Sequence, residues 1–199
     1  MIVTHSLLAL FWILYCCIHS LLASTMTKSY FKKNLQGFYR YYRLCYSIFA
    51  FLTLLMLLIY QYSFHSIKLL ESATIQYAAV FLFVIPGLYT MLISIFKYFK
   101  LLSGIRSLYE PAPPVELKID GIHKYVRHPL YTGTIMFTWG LLLTFPYLNN
   151  LIAVAALTIY VLIGIRLEET KLLSEFGNSY KEYASKVPML IPDFKTGIK

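Results

Sequence analysis

The sequence predicts an all-α fold: a polytopic helical bundle integral to a membrane, with about five transmembrane helices, a C-terminal helical hairpin and an amphipathic tail helix. Three observations predict it. The 199 residues are 58% apolar and only 14% charged, with a mean hydropathy of +0.62. A soluble domain of this length is about half apolar and about a quarter charged, so the excess cannot be hidden in a small core. The apolar residues also gather into stretches long enough to cross a bilayer, and the remaining charges are placed asymmetrically between them. Disorder, which needs the opposite composition, is excluded as well.

The spans follow in order. Met1 to Thr27 and Leu44 to Ile67 contain no Asp, Glu, Lys or Arg. A third stretch, Leu69 to Phe96, carries only Glu71 near its start and reads as a helix from about Ile75. Each exceeds the roughly 20 residues needed to cross the hydrocarbon layer. Pro86-Gly87 lies in mid-span and predicts a kink there, because proline removes a backbone hydrogen bond. Two shorter runs, Pro129 to Pro146 and Leu151 to Ile165, have 18 and 15 residues. Tyr147-Leu148-Asn149-Asn150 between them reads as a polar turn, giving a tight hairpin; a shallow re-entrant hairpin fits the same lengths.

Positive charge orients these spans. Lys28, Lys32, Lys33, Arg40 and Arg43 follow the first; Lys97, Lys100, Arg106, Lys118, Lys124 and Arg127 lie between the third and fourth. Arg166, Lys171, Lys181, Lys186, Lys195 and Lys199 follow the fifth. If five spans alternate, every basic residue except Lys68 falls on one side. The expected topology is N-terminus outside and C-terminus cytoplasmic, in the inner membrane if the cell is bacterial. The net charge of +9 is then a positive-inside signal facing anionic headgroups, so the lipid bilayer is the expected partner and nucleic acid is not. No basic residue precedes the first apolar run, so it is expected to remain as a span and not to be a cleaved signal. Cys16, Cys17 and Cys45 lie in or beside spans without metal-type spacing and read as apolar filler; no metal site is expected.

The chain divides into an N-terminal three-helix region, 1–96, and a C-terminal region, 97–199, that holds the chemistry. Pro111, Pro113 and Pro114 make Glu110 to Glu116 an extended connector. In the tail, Leu172, Leu173, Phe176, Tyr180, Tyr183 and Val187 recur at helical spacing opposite lysines and glutamates. That is an amphipathic helix, interrupted by Gly177 and ended by Pro188 and Pro192.

Two constellations could carry chemistry. In Arg127-His128-Pro129-Leu130-Tyr131-Thr132-Gly133, Pro129 suits the first turn of a helix. The unpaired first-turn N–H groups, the helix dipole, Arg127 and a His128 cation would all favour an anion there. A plain juxtamembrane basic cluster explains the same residues. The second is Arg166-Leu167-Glu168-Glu169 at the end of the fifth span, which the hairpin returns to the face where the fourth began. A ligand with both charges, such as an amino acid moiety, matches the pair; carboxylates balancing nearby lysines in water explain Glu168 and Glu169 equally. His5 and His19 in the first span are expected to bond to a neighbouring helix. No G-x-G pair, H-E-x-x-H, G-x-S-x-G or Cys-His metal set occurs, which removes the dinucleotide fingerprint and the common hydrolase and metal signatures.

Arg127-His128-Pro129-Leu130-Tyr131-Thr132-Gly133, then Glu168-Glu169, then Phe176-Gly177, Tyr180, Tyr183 and Val187-Pro188 resemble the isoprenylcysteine carboxyl methyltransferase superfamily over roughly residues 115–192. That superfamily includes phospholipid and methanethiol methyltransferases and NnrU-like membrane proteins; His19 to Ser24 looks most like the last two branches. The resemblance implies an S-adenosylmethionine-dependent methyltransferase that releases S-adenosylhomocysteine. It implies cofactor contacts from His128, Pro129, Tyr131 and Glu168, with Val115, Leu117, Lys118 and His123 contributed by the connector. Arg127, Tyr131, Arg166 and Glu169 are the expected catalytic residues, with His128 or Glu169 as base if the acceptor needs one. The acceptor is a small or lipophilic thiol, carboxylate or amine reached from the membrane. Prenylcysteine enzymes carry an arginine where this chain has Gly164, and their eukaryotic members carry a tyrosine at His123; both departures argue against prenylcysteine. Two other readings stay open: an NADPH-dependent membrane reductase of similar fold, and a non-enzymatic NnrU-like membrane subunit.

Overall fold

In the computed structural model, residues 1–102 and 116–193 are described. The proline-rich connector expected over 110–116 lies almost wholly outside them. The described residues form helices and no strand, as the all-α reading requires. They group into two compact units whose segments alternate along the chain: residues 1–71, 96–102 and 145–157 in one, and 72–95, 116–144 and 158–193 in the other.

In the first unit, α1 (Ile2–Ala23) ends at a bend on Ser24, whose Oγ accepts the Thr27 N–H at 3.2 Å and so starts α2 (Thr25–Leu35). This short helix carries Lys28, Lys32 and Lys33 and buries nothing, as expected of a basic segment outside the apolar layer. The chain then enters α3 (Tyr39–Tyr62), which takes in Arg40 and Arg43 ahead of its apolar stretch. Leu8, Trp12, Leu57 and Ala153 form the core.

Beside this core runs a connected set of buried polar bonds. Trp12 Nε1 donates to Gln61 Oε1 at 3.0 Å, and Gln61 Nε2 donates to Asn150 Oδ1 at 2.9 Å. Asn149 Nδ2 donates to the Gln61 carbonyl at 2.9 Å, while its amide reaches Ser66 Oγ, which also meets His5 Nε2 at 2.9 Å. Away from water each of these groups must find a protein partner. The structure here corrects the sequence reading. Asn149 and Asn150 are not in the hairpin turn but inside the first turn of α7 (Leu148–Phe176), 4% and 5% exposed. The turn itself is Phe145-Pro146-Tyr147, held by Leu69 N–H to the Pro146 carbonyl and Leu148 N–H to the Ile67 carbonyl. His19 bonds to Tyr46 of α3, the neighbouring helix, as expected, whereas His5 meets Ser66 in the non-helical segment after α3. Of the cysteines only Cys16 is buried; Cys17 and Cys45 are exposed.

In the second unit, Ser72 caps α4 (Ala73–Ala79), a π-helical turn spans Val80–Val84, and α5 (Ile85–Leu102) continues it. The expected kink has a definite form. Pro86 would collide with the carbonyl of Leu82, and the widened turn, with Ile85 N–H bonded to Val80 O, relieves it. Against this segment lies α6 (Pro129–Thr144), in backbone contact through glycines. A Cβ on Gly133 would sit 2.7 Å from Met91 N, and one on Gly87 2.5 Å from Phe137 N. Such small-residue contacts let helices approach where no hydrophobic drive separates protein from lipid.

The second correction concerns the tail. Nothing between Ile165 and Phe176 breaks a helix, so α7 runs unbroken for 29 residues through Arg166 to Glu169. Gly177, at φ +53°, ends it in the left-handed region and begins α8 (Asn178–Lys186). The expected amphipathic tail is therefore the last turns of α7 followed by α8. Among the described residues four helices are long and apolar enough to cross a membrane: 2–23, 39–62, 73–97 and 148–176. The fifth, α6, has 16 residues, about 24 Å at ~1.5 Å each, short of a ~30 Å core.

Candidate active site

The segment leading into α6 is locked before the helix begins. A 3₁₀ turn over Gly121–Lys124 starts at Gly121, φ 60°. His123 Nδ1–H donates to the Arg127 carbonyl at 3.1 Å, and the His123 carbonyl accepts the Tyr183 hydroxyl at 2.8 Å. The tail returns alongside in extended form: Arg127 N–H bonds to Pro188 O at 2.9 Å, His128 N–H to Met189 O, and Asp193 N–H to Tyr125 O. Thr132 Oγ1 adds a bond to the Leu190 carbonyl at 2.8 Å. Pro129 then opens α6 as a buried first residue, and the Thr132 amide is bonded back to His128 O. The amides of Leu130 and Tyr131 precede that first bond, as helix starts require.

Across from this start, α7 presents Glu168 and Glu169, and the two acids are used differently. Glu169 Oε1 receives Arg127 Nε at 2.8 Å and Nη2 at 2.7 Å. Arg127 Nη1 donates to the carbonyls of Ala184 and Val187 at 2.7 and 2.6 Å. Its guanidinium, 13% exposed, is thus spent on Glu169 and on the end of α8. His128 Nε2 lies 3.2 Å from the same carboxylate oxygen. An ionised carboxylate only accepts, so Nε2 carries the proton and Nδ1 is the nitrogen turned toward Glu168, 4.0 Å away. Glu168 keeps 45% of its side-chain surface exposed and accepts the Tyr131 hydroxyl at 2.9 Å. The Tyr131 and His128 rings stack with centroids 5.6 Å apart.

Arg127, His128, Pro129, Tyr131, Glu168 and Glu169 therefore come together, with His123 supporting the turn beneath them. Three residues singled out by sequence do not join them. Lys118 pairs with Glu116 at 3.1 Å on the surface, and Leu117 packs against Tyr180, Tyr183 and Val187. Arg166 is exposed on α7, and among the described residues its side chain makes none of the cluster's bonds. Val115 lies outside the described residues. Arg127 and Glu169, expected to offer opposite charges to a ligand, instead pair with each other.

The sequence showed Tyr180 as part of the tail's apolar repeat and of the superfamily pattern, without a role in the site. It is 4% exposed, and its hydroxyl has no hydrogen-bond partner among the described residues. Burial first, and then the nearby Glu169 charge, raise its pKa, so the phenol stays protonated.

The fold and this cluster define a class: polytopic helical membrane proteins with an acidic pair of one helix set against a His-Pro-x-Tyr helix start. The chain belongs to the NnrU protein family, whose model matches residues 7–193. It is 35% identical over 108 residues to a methanethiol S-methyltransferase of Crocosphaera subtropica, covering 52% of this chain and 40% of that protein. It is 37% identical over 106 residues to methanethiol S-methyltransferase 1 of Bradyrhizobium diazoefficiens, covering 52% and 36%. A protein-S-isoprenylcysteine O-methyltransferase of Schizosaccharomyces pombe is 40% identical over 79 residues, 38% of this chain and 33% of that protein. The matches to the methanethiol enzymes span about half of this chain, that to the isoprenylcysteine enzyme 38%, and this chain covers no more than 40% of any of the three. These matches bear out the superfamily resemblance. No solved structure matches significantly.

Proposed function

We propose that this protein is a membrane methyltransferase that takes its methyl group from S-adenosylmethionine and passes it to a small or lipophilic acceptor reached from the bilayer. The acceptor class is a thiol, carboxylate or amine, with S- or O-methylation favoured by the names of the relatives. The observation that carries this is the pairing of Tyr131 with the exposed Glu168 beside His128 and the amides that open α6.

The residues fit such a cofactor by their donor set. Glu168 is a solvent-reaching carboxylate suited to an ammonium or ribose hydroxyls, and the α6 amides suit a carboxylate. Gly164, one turn before Glu168, leaves open space: a Cβ there meets nothing within 4 Å. When bound, the sulfonium supplies a methyl group on a good leaving group, so positioning dominates over acid–base help. Tyr131 orients Glu168 through its hydroxyl and offers a ring face to positive charge. If the acceptor must lose a proton, His128 Nδ1 is the base, because Glu169 is committed to Arg127. Glu169 then acts as a positioning residue that holds the His128 tautomer. Arg127 ties α8 and the returning tail over this face. The basic residues support a cytoplasmic C-terminus and, in a bacterium, an inner-membrane location.

Calorimetric titration of detergent-purified protein with S-adenosylmethionine, S-adenosylhomocysteine and NADPH tests the reading. Binding of the first two at micromolar levels is expected, with loss in both His128→Ala and Glu168→Ala at unchanged expression. NADPH binding alone identifies a reductase, and no binding by folded protein identifies a non-enzymatic subunit.

A further inference from the structure

The first unit carries an unbalanced charge on one short segment. No Asp or Glu precedes Glu71 in the chain, while Lys28, Lys32, Lys33, Arg40 and Arg43 all fall within residues 28–43. Helices long and apolar enough to cross a membrane lie on both sides of that segment, 2–23 and 39–62. Its cations are therefore tethered at the level of the lipid headgroups.

The short helix α2 is folded onto the start of α3. The Phe31 ring packs on Tyr42 with centroids 5.0 Å apart, Tyr42 stacks on Tyr39 at 5.7 Å, and the Tyr42 hydroxyl donates to the Leu22 carbonyl at 2.7 Å. One residue beyond each member of the Phe31–Tyr42 pair stands a cation, Lys32 on α2 and Arg43 on α3. At about 100° per residue, Lys28, Phe31, Lys32 and Leu35 share one side of α2, and Met26, Tyr30 and Lys33 share the other. Met26 and Tyr30 are exposed, as that division requires.

Arg43 adds an independent observation. Its side chain is half-buried, yet among the described residues no hydrogen bond or ion pair uses its guanidinium. The titratable groups that act on its charge are Tyr39 and Tyr46, which are neutral below about pH 10. A cation drawn partly out of water without a counter-charge is costly, and a second cation at the same corner adds repulsion. An anion between them removes both costs. A guanidinium forks two oxygens of a phosphate, and an ammonium adds a point charge. The corner lacks a cradle for a free phosphate, because Ser24 already holds the Thr27 and Lys28 amides at the start of α2. The bilayer supplies anionic headgroups at this depth, and tyrosines border them.

We propose that Lys32 and Arg43 form a site for the phosphodiester of an anionic phospholipid, at the corner where α2 folds onto α3. The site lies within the first unit and does not depend on the methyltransferase reading.

Native mass spectrometry of the full chain in detergent, titrated with dioleoyl phosphatidylglycerol and dioleoyl phosphatidylcholine, tests it. One phosphatidylglycerol should bind saturably, about ten-fold more tightly than phosphatidylcholine, and millimolar glycerol phosphate should not displace it. Arg43→Gln should weaken it about ten-fold, as loss of a charge-assisted contact does. Lys32→Gln should weaken it about five-fold, whereas Lys33→Gln, on the far side of α2, should change it less than about two-fold. Arg43→Lys should recover part of the affinity by returning the charge without the fork. Thermal unfolding reports folding in each variant; if Arg43→Gln does not fold, the contrast between Lys32→Gln and Lys33→Gln decides. Equal affinity for the two lipids, displacement by glycerol phosphate, wild-type binding in folded Arg43→Gln, or equal loss in the two lysine variants overturns the site.

Discussion

Arg127 and Glu169, 42 residues apart in the chain, meet through two nitrogen–oxygen contacts of 2.8 and 2.7 Å, and the same guanidinium caps the carbonyls of Ala184 and Val187. One side chain thereby joins the entry to α6, the middle of α7's polar end and the close of α8. Both partners are largely screened from solvent, so the pair is a structural clamp and its charges are not offered to a ligand.

Removing one member of such a pair leaves the other buried without compensation. Arg127→Ala should cost roughly 2–4 kcal/mol, somewhat below the value for a fully buried pair. It should also release the tail, which trypsin reports by faster cleavage after Lys181 and Lys186. Arg127→Lys should recover only part of the stability, because an ammonium cannot reproduce the guanidinium fork. An unchanged melting temperature and cleavage rate in Arg127→Ala would remove the clamp.

Glu168 is half exposed and bonded to Tyr131, so its loss should touch binding more than folding. Glu168→Gln should weaken S-adenosylmethionine at least about ten-fold, one charge-assisted contact or more, with the thermal transition within a few degrees of wild type. Tyr131→Phe should produce a smaller loss, since Glu168 keeps its charge but loses its orientation. Calorimetry on both variants checks the order; equal affinity in Glu168→Gln and wild type contradicts it.

Two glycines should respond oppositely to alanine. At Gly133 the new methyl would meet Met91 N at 2.7 Å and Gly87 O at 2.9 Å, both backbone atoms that cannot yield. Overpacking of that kind costs about 1–3 kcal/mol. Gly164→Ala meets nothing and should stabilise α7 by about 0.5–1 kcal/mol through helix propensity. Unfolding in detergent measures both.

Tyr180 links stability to alkaline pH. Burial and the Glu169 charge hold its pKa above the usual tyrosine value. The folded state therefore keeps a proton that the unfolded chain releases, and stability is full below about pH 10 and falls as pH rises past it. Tyr180→Phe removes a buried hydroxyl that has no hydrogen-bond partner among the described residues. It should match or exceed wild-type stability at neutral pH and lose part of the alkaline decline. A variant as alkali-sensitive as wild type would exclude Tyr180 as the source.

Much of the fold was legible because insertion depends on quantities that composition carries. A charge-free stretch of sufficient length must be helical in lipid, whatever it packs against, and this placed α1, α3, the α4–α5 span and the α6–α7 hairpin. Hairpin topology likewise implied that residues 127–131 and 166–169 meet, and they do. Sequence misjudged Asn149 and Asn150 as turn residues because amides favour turns locally; burial against Gln61 outweighs that preference. It also divided α7 from its tail, since the change from apolar to charged resembles a helix end while backbone hydrogen bonding continues regardless.

By itself, the sequence determined the membrane class, the spans and the asymmetry of charge, all of which depend on what each stretch contains. Only the tertiary structure decided how these groups are used: Arg127 on Glu169 and two carbonyls, Glu168 on Tyr131, and Tyr180 buried beside the Glu169 charge. Partnership depends on the direction and reach of side chains brought together from 37 to 60 residues apart. That geometry exists only once the helices have packed.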